Sequence, residues 1–113
     1  MEITPRAVGE GTCVVALEGT LNASSADQVK EVFVTMAEQG MRHVVADLAR
    51  VPFIDSSGLA ALVSGLKTLN SHDGCLKLAG LQSQADLLFK LTMFDKVFQV
   101  YPDVETALKS FPA

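Results

Sequence analysis

Short apolar runs alternate with amphipathic segments along this chain, and this alternation constrains the fold more than any other feature. Residues 44–48 form a short apolar run typical of a strand buried on both faces. Apolar side chains recur at helical spacing before this run and again after residue 58. Strands that alternate with helices predict a mostly parallel sheet with right-handed crossovers. We therefore expect a single α/β domain over residues 1–113, with about five strands covered by about four helices.

Turn and capping residues set the expected boundaries, in the order β-β-α-β-α-β-α-β-α. Strands are predicted at residues 2–8, 13–17, 44–48, 75–79 and 97–101. Helix starts are predicted at two capping boxes, Ser25 with Gln28 and Ser83 with Asp86, and at the caps Asp55 and Asp103. Gly40 ends the first helical pattern, and the third runs to Leu91.

Charge and hydropathy exclude two classes of partner. Nine Lys and Arg residues stand against thirteen Asp and Glu, a formal net charge of −4. The basic residues are scattered singly, so no basic stripe exists and we expect no direct nucleic-acid binding. The longest apolar runs, 13–17 and 59–63, are far too short to cross a bilayer, and the first residues do not resemble a signal peptide. We expect a cytoplasmic protein without membrane insertion.

Residues that could carry catalysis or bind a metal are not grouped in any recognised motif. Neither His43 nor His72 lies near a Ser or Cys nucleophile in a known signature, and the glycines form no phosphate-binding loop. Cys13 and Cys75 each adjoin a strand-like run without a His at metal-ligand spacing, which favours structural free thiols. The prediction is therefore a protein that is not an enzyme, with no metal and no cofactor.

The segment 55–58, Asp-Ser-Ser-Gly, lies between an apolar loop and the start of the second predicted helix. A helix N-terminus exposes backbone N–H groups and the positive end of the helix dipole, so a serine there tolerates a phosphate. Asp and Ser are also favoured N-caps, and Gly58 could simply ease packing. The tetrapeptide alone is consistent with both roles.

The loops 19–25 and 51–58 are predicted to meet, although about 30 residues separate them. Each follows a parallel strand, and the carboxyl ends of such strands share one edge of the sheet. We expect Ser56 at the exposed start of a helix. Its expected neighbours are Asn22, Ser24, Asp55, Ser57 and Leu59.

Residues 51–59, Val-Pro-Phe-Ile-Asp-Ser-Ser-Gly-Leu, closely resemble the signature of the STAS-domain anti-sigma factor antagonists, also called anti-anti-sigma factors. Residues 17–21 resemble the second strand and following turn of that family, and residues 42–48 resemble the strand that leads into the signature. Gly80 and Leu81 fall at the expected distance. The resemblance covers nearly the whole chain and implies a STAS-like α/β domain.

In that family the first serine after the aspartate accepts phosphate, which implies that Ser56 is the phosphorylation site. Unphosphorylated members bind an anti-sigma factor that is also an ATP-dependent serine kinase, and this frees a sigma factor. A PP2C-type phosphatase restores the unphosphorylated form. The resemblance implies a partner-binding surface formed by Asn22, Ser24, Asp55, Ser57, Gly58 and Leu59.

The resemblance also implies individual roles within that surface. Asp55 would shape the local charge, and Gly58 would allow the close approach of a partner. Asn22 departs from the family pattern, because many members have an acidic residue there. The substitution removes a negative charge near the expected contact surface, and Asn22 would cap the next helix or hydrogen-bond a partner.

Two alternatives remain at this stage. A constitutive STAS subunit of a transporter-associated or stress-signalling complex would use Ser56 only structurally. A response-regulator receiver would instead form an acyl phosphate on Asp55. A receiver needs a neighbouring acidic pair to hold Mg²⁺, whereas the early strands offer only the isolated Glu10 and Glu18.

Overall fold

The sheet of the computed structural model, which describes residues 1–112, has its strands in sequential order, β1-β2-β3-β4-β5. The strands are β1 Glu2–Gly9, β2 Thr12–Glu18, β3 His43–Arg50, β4 Cys75–Ala79 and β5 Val100–Tyr101. The first two form an antiparallel hairpin, and every later pair is parallel. The expectation of a mostly parallel sheet is therefore confirmed, with β1 as its antiparallel edge.

The helices lie on both faces of this sheet. Their bounds are α1 Ala26–Glu38, α2 Ser56–Ser71, α3 Ser83–Thr92 and α4 Val104–Lys109, with a short 3₁₀ helix at Phe94–Lys96. Side chains of α1, α2 and α3 share one core with Val44 and Ala46, whereas Val45 packs with α4 on the opposite face. This explains the continuous apolar run in β3, because its residues point alternately into the two cores. No helix in the described part of the chain is both long and apolar enough to span a membrane.

The short helix α4 is fastened to its face of the sheet by a buried lysine. The ammonium of Lys77, on β4, donates a 2.6 Å hydrogen bond to the Ser110 hydroxyl just after α4. It also lies 4.2 Å from the ring centroid of Phe111 and 5.4 Å from that of Tyr101, within cation–π range. At the other end, Asp103 caps α4 as predicted, because its carboxylate accepts a 2.7 Å hydrogen bond from the Thr106 N–H.

Both predicted capping boxes are wrong. The Ser25 side chain makes no cap hydrogen bond to α1; its hydroxyl accepts from the Asn22 N–H at 3.0 Å and donates to the Thr20 carbonyl at 2.9 Å. The hydroxyl that the capping box required is therefore hydrogen-bonded to the preceding loop instead. Helix α3 likewise begins at Ser83 without a side-chain cap, and Asp86 pairs with Lys90 at 2.8 Å.

The last strand is much shorter than the predicted 97–101. Residues Phe94–Lys96 form the 3₁₀ helix, and the N–H groups of Val97 and Phe98 donate to the Phe94 carbonyl rather than to β4. Phe98 is buried, with its ring centroid 5.7 Å from that of Phe89. The apolar run thus fills the core beside α3 before the chain reaches the sheet, which leaves Val100–Tyr101 as the strand.

The two cysteines lie on the strands that flank β3. Cys13 is buried in β2 and Cys75 is half-buried in β4, and both are free thiols, as predicted. Burial raises the pKa of both thiols, while the nearby Lys77 charge partly opposes this at Cys75. A raised pKa lowers the thiolate fraction, which fits a structural role for both side chains.

Helices α1 and α2 approach each other closely at Gly65. A Cβ added to this glycine would lie 2.9 Å from Phe33 Cγ and 3.0 Å from Phe33 Cε2, and the Phe33 ring is fully buried. The ring is therefore enclosed by its neighbours and cannot move out into solvent to make room. The absence of a side chain at residue 65 determines how closely α1 packs against α2.

We expect Gly65→Ala to destabilise the protein by about 1–3 kcal/mol through overpacking. This loss should exceed the gain of about 1 kcal/mol that alanine brings to a helix interior. Urea unfolding would measure the change. Gly9→Ala is the matched control, because a Cβ there meets no heavy atom closer than Thr12 Cβ at 3.9 Å. A Gly65→Ala midpoint equal to that of the wild type would contradict this packing account.

Candidate functional site

The two loops that were predicted to meet are joined by backbone hydrogen bonds. The Leu21 N–H donates to the Phe53 carbonyl at 3.0 Å, and the Asp55 N–H donates to the Leu21 carbonyl at 3.1 Å. Leu21 and Ile54 thereby form a parallel bridge, and both side chains are fully buried. The bridge continues the β2–β3 pairing beyond the strand ends. The predicted meeting of the two loops is confirmed, and we call this pairing the loop bridge.

Gly58 makes the loop bridge possible. A Cβ at this position would lie 2.7 Å from Leu21 Cγ and 2.9 Å from the Leu21 carbonyl carbon. The close approach that Gly58 allows is therefore to Leu21 of the same chain. Gly58 itself is buried and contributes to the site by allowing α2 to begin directly beside the first loop.

The Asp55 side chain caps α2. Its Oδ1 accepts a 2.9 Å hydrogen bond from the Gly58 N–H, and its backbone is extended, as expected for an N-cap. Ser56 follows as the first helical residue and is exposed, whereas Ser57 is half-buried. The predicted position of Ser56 at the exposed start of a helix is confirmed. Its hydroxyl lies at the positive end of the helix dipole.

Asn22 and Ser24 shape the neighbouring loop. Asn22 Oδ1 accepts hydrogen bonds from the Ser24 N–H at 3.0 Å and from the Ser24 hydroxyl at 2.7 Å. The Asn22 carbonyl accepts from the N–H groups of Ser25 and Ala26 at the start of α1. Asn22 therefore organises the turn before α1 and holds the exposed Ser24 in place. The contact of these two residues with a partner stays a prediction.

A residue that sequence reasoning missed, Gln84, holds the second loop from the other side. Its Oε1 accepts from the Ile54 N–H and its Nε2 donates to the Ile54 carbonyl, each at 2.9 Å. Both backbone groups of a buried residue are thus satisfied by one amide. Gln82 adds a 2.8 Å hydrogen bond to the Ala49 carbonyl. Thirty positions separate Gln84 from Ile54, and no local pattern in the sequence indicates this contact.

The receiver alternative is wrong for this fold. A receiver has the doubly wound strand order 2-1-3-4-5, whereas these strands lie in sequential order with an antiparallel first pair. Asp55 is the N-cap of α2, with its carboxylate bonded to Gly58. Among residues 1–112, no three His, Cys, Asp or Glu side chains come together in a way that could hold a metal ion.

Comparison with known proteins identifies the family of this chain. The family model described as the STAS domain matches residues 4–107. The anti-sigma-B factor antagonist of Staphylococcus epidermidis is 32% identical over 91 residues, which cover 80% of this chain and 84% of the relative. The chain therefore belongs to the STAS domain family, and its named relatives include anti-sigma factor antagonists.

Solved structures show the same fold. An anti-sigma factor antagonist from Mycobacterium paratuberculosis superposes with a TM-score of 0.82 at 24% identity, covering 96% of this chain and 93% of that one. The Bacillus cell fate determinant SpoIIAA in its phosphorylated form gives a TM-score of 0.74 at 20% identity, covering 96% and 97% of the two chains. At these identities the likeness establishes the fold of the chain.

We expect Gln84→Ala to destabilise the protein by about 1–3 kcal/mol, because the Ile54 N–H and carbonyl lose their partners. Urea unfolding would measure the loss, and amide exchange at Ile54 would locate it. Gln28→Ala, at an exposed position on α1, is the matched control. If the two variants showed the same stability and the same Ile54 protection, Gln84 would have no such role.

Proposed function

We propose that this protein is an anti-sigma factor antagonist whose binding to an anti-sigma factor with serine kinase activity is switched by phosphorylation of Ser56. The observation that carries the proposal is the exposed Ser56 at the first position of α2, directly after the Asp55 cap and two residues beyond Ile54 of the loop bridge. The names of the relatives support it. So does the existence of a structural neighbour in a phosphorylated form.

A phosphate at Ser56 would act on binding rather than on folding. It adds roughly −1.5 to −2 charges at neutral pH. The N-terminus of α2 stabilises that charge in part, and the Asp55 carboxylate beside it opposes this by repulsion. Because Ser56 is exposed, the free protein accommodates the group in water. A docked partner would have to desolvate the phosphate or meet it with a surface shaped for a neutral hydroxyl.

The proposed partner surface is centred on the loop bridge. Ser24 and Ser56 are exposed, and Asn22, Asp55 and Ser57 are half-buried. Leu59 is buried at the edge of the surface. Gly58 supports the surface indirectly through its contact with Leu21. These side chains supply small hydroxyl and amide groups around one carboxylate.

The proposal has consequences for the setting of the protein. It acts as a binding module without catalysis of its own, and a PP2C-type phosphatase resets Ser56. It works in the cytoplasm, where an ATP-dependent kinase meets its substrate. It affects transcription through the anti-sigma factor and makes no direct contact with nucleic acid, in keeping with the scattered basic residues and the net charge of −4.

Substitutions at Ser56 should separate the two states of the switch. Ser56→Ala should bind the purified kinase persistently and gain no phosphate. Ser56→Asp should bind about a thousandfold more weakly, which corresponds to a penalty of about 4 kcal/mol. Titration calorimetry measures the affinities, and intact-mass analysis after incubation with ATP measures phosphorylation.

Ser57→Ala is the matched control for this experiment, since it removes the adjacent hydroxyl and should still accept phosphate. Equal affinity of Ser56→Asp and wild type, together with no gain of mass in the wild type, would contradict the switch. That result would favour the constitutive STAS subunit instead.

A further inference from the structure

Lys77 is a buried cation that the proposed function does not use. It lies on β4 directly opposite Val45 of β3, so its side chain points to the face of the sheet that α4 covers. The residue is only 7% exposed. Among residues 1–112 it forms no ion pair with a carboxylate. Because the burial of an ammonium without a countercharge is costly, the groups that surround Lys77 decide whether it stays buried.

Two of the three groups that contact this ammonium belong to the segment after α4. Lys77 Nζ donates its 2.6 Å hydrogen bond to the Ser110 hydroxyl, and that hydroxyl donates in turn to the Ala107 carbonyl at 2.6 Å. The Phe111 ring lies at 4.2 Å and is closer than the Tyr101 ring of β5 at 5.4 Å. If the segment after α4 leaves the sheet, the ammonium loses the hydroxyl and the nearer ring and is hydrated instead.

Helix α4 has few other contacts that hold it on the sheet. It comprises six residues, Val104–Lys109, whereas isolated helices shorter than about 12–15 residues are marginal in water. Ala107 is the one buried residue of this helix. The core beneath it contains Val14, Val45, Ala79 and Ala107, and the sheet separates it from the large core of α1, α2 and α3. The docking of α4 therefore depends on a small apolar core and on the contacts to the buried ammonium.

We propose that α4 and residues 110–112 form a latch that opens from the sheet while the large core stays folded, and that the contacts of Lys77 with Ser110 and Phe111 hold the latch closed. Segments with few buried apolar contacts open locally at a lower free energy than the whole domain unfolds. In the open state the ammonium is hydrated, and the apolar side chains of Val14 and Val45 are uncovered on the sheet. The protein then exposes a face that the closed state hides.

The latch is separate from the site around Ser56. Helix α2, which begins at Ser56, packs in the large core on the opposite face of the sheet. Opening of the latch therefore leaves the loop bridge in place, and it does not depend on the proposed function.

Two measurements on the wild type detect the opening. Hydrogen exchange compares the Ala107 amide, which donates to the Asp103 carbonyl in α4, with the Ala46 amide in the middle of β3. After correction for intrinsic rates, Ala107 should exchange at least about tenfold faster than Ala46. Low concentrations of urea should accelerate Ala46 much more than Ala107, because opening the latch exposes less surface than global unfolding does. Acetylation by N-hydroxysuccinimidyl acetate, followed by peptide mass analysis, should modify the Lys77 amine while the Ala46 amide is still protected.

Ser110→Ala removes the hydroxyl that accepts the hydrogen bond from Lys77. Loss of a hydrogen bond from a charged donor should speed the exchange of Ala107 and the acetylation of Lys77 together, each by at least about tenfold. Ser71→Ala is the matched control. The Ser71 hydroxyl also donates to a carbonyl three residues earlier at the end of a helix, at 2.8 Å, but no lysine in residues 1–112 donates to it. This control should leave both rates as in the wild type.

Three results would overturn the latch. Equal protection and equal urea dependence of Ala107 and Ala46 would mean that α4 leaves the sheet only when the whole domain unfolds. Fast exchange of Ala107 with acetylation of Lys77 no faster than global unfolding would mean that the helix frays while the ammonium stays covered. Acetylation of Lys77 at the wild-type rate in Ser110→Ala would mean that this hydroxyl does not hold α4 on the sheet.

Discussion

The backbone pairing of Leu21 with Phe53 and Asp55 is the interaction on which the rest of the site depends. It continues the parallel ladder between β2 and β3 for a few residues beyond the strand ends. Loop segments are normally mobile because few of their backbone groups are paired, and this pairing removes that freedom. Three further features support it: the missing side chain of Gly58, the amide of Gln84 and the cap formed by Asp55. The backbone at Ser56 is consequently held in one position, while its side chain remains exposed to solvent.

The packing of the helices on the sheet explains how a single small domain acts as a switch without a large movement. Helix α2 carries Ser56 at its first residue and packs through Gly65 against α1. The small helix α4 lies on the opposite face and is held by Lys77. A phosphate would therefore change the charge and shape of one surface while the sheet and its two cores remained as they are. In the proposed function, the partner detects this local change at the surface around the loop bridge.

The features predicted correctly from the sequence are those determined by local pattern and by general rules of sheet topology. The apolar run of β3 and the Asp55 cap of α2 are local, and the meeting of the two loops follows from the shared edge of parallel strands. The failures arise where a group has more than one available partner, or where its partner lies in another segment of the chain. The Ser25 hydroxyl has the right position to cap α1, but it donates its hydrogen bond to the Thr20 carbonyl in the preceding loop. Phe98 lies in an apolar run that is typical of a strand, but its side chain packs in the core against Phe89. Gln84 has no local signature, because its role is defined by the backbone of Ile54 in another loop.

Hydrogen exchange at the Leu21 and Asp55 amides tests the central claim most directly, namely that the loop bridge fixes Ser56 in position. In the wild type both amides should exchange slowly, because each donates to a carbonyl of the opposite loop. In Gly58→Ala the added methyl group displaces Leu21, so both amides should lose protection together by at least about tenfold, while the Val45 amide in β3 keeps its protection. Unchanged protection of Leu21 and Asp55 in Gly58→Ala, or fast exchange of both already in the wild type, would contradict the account.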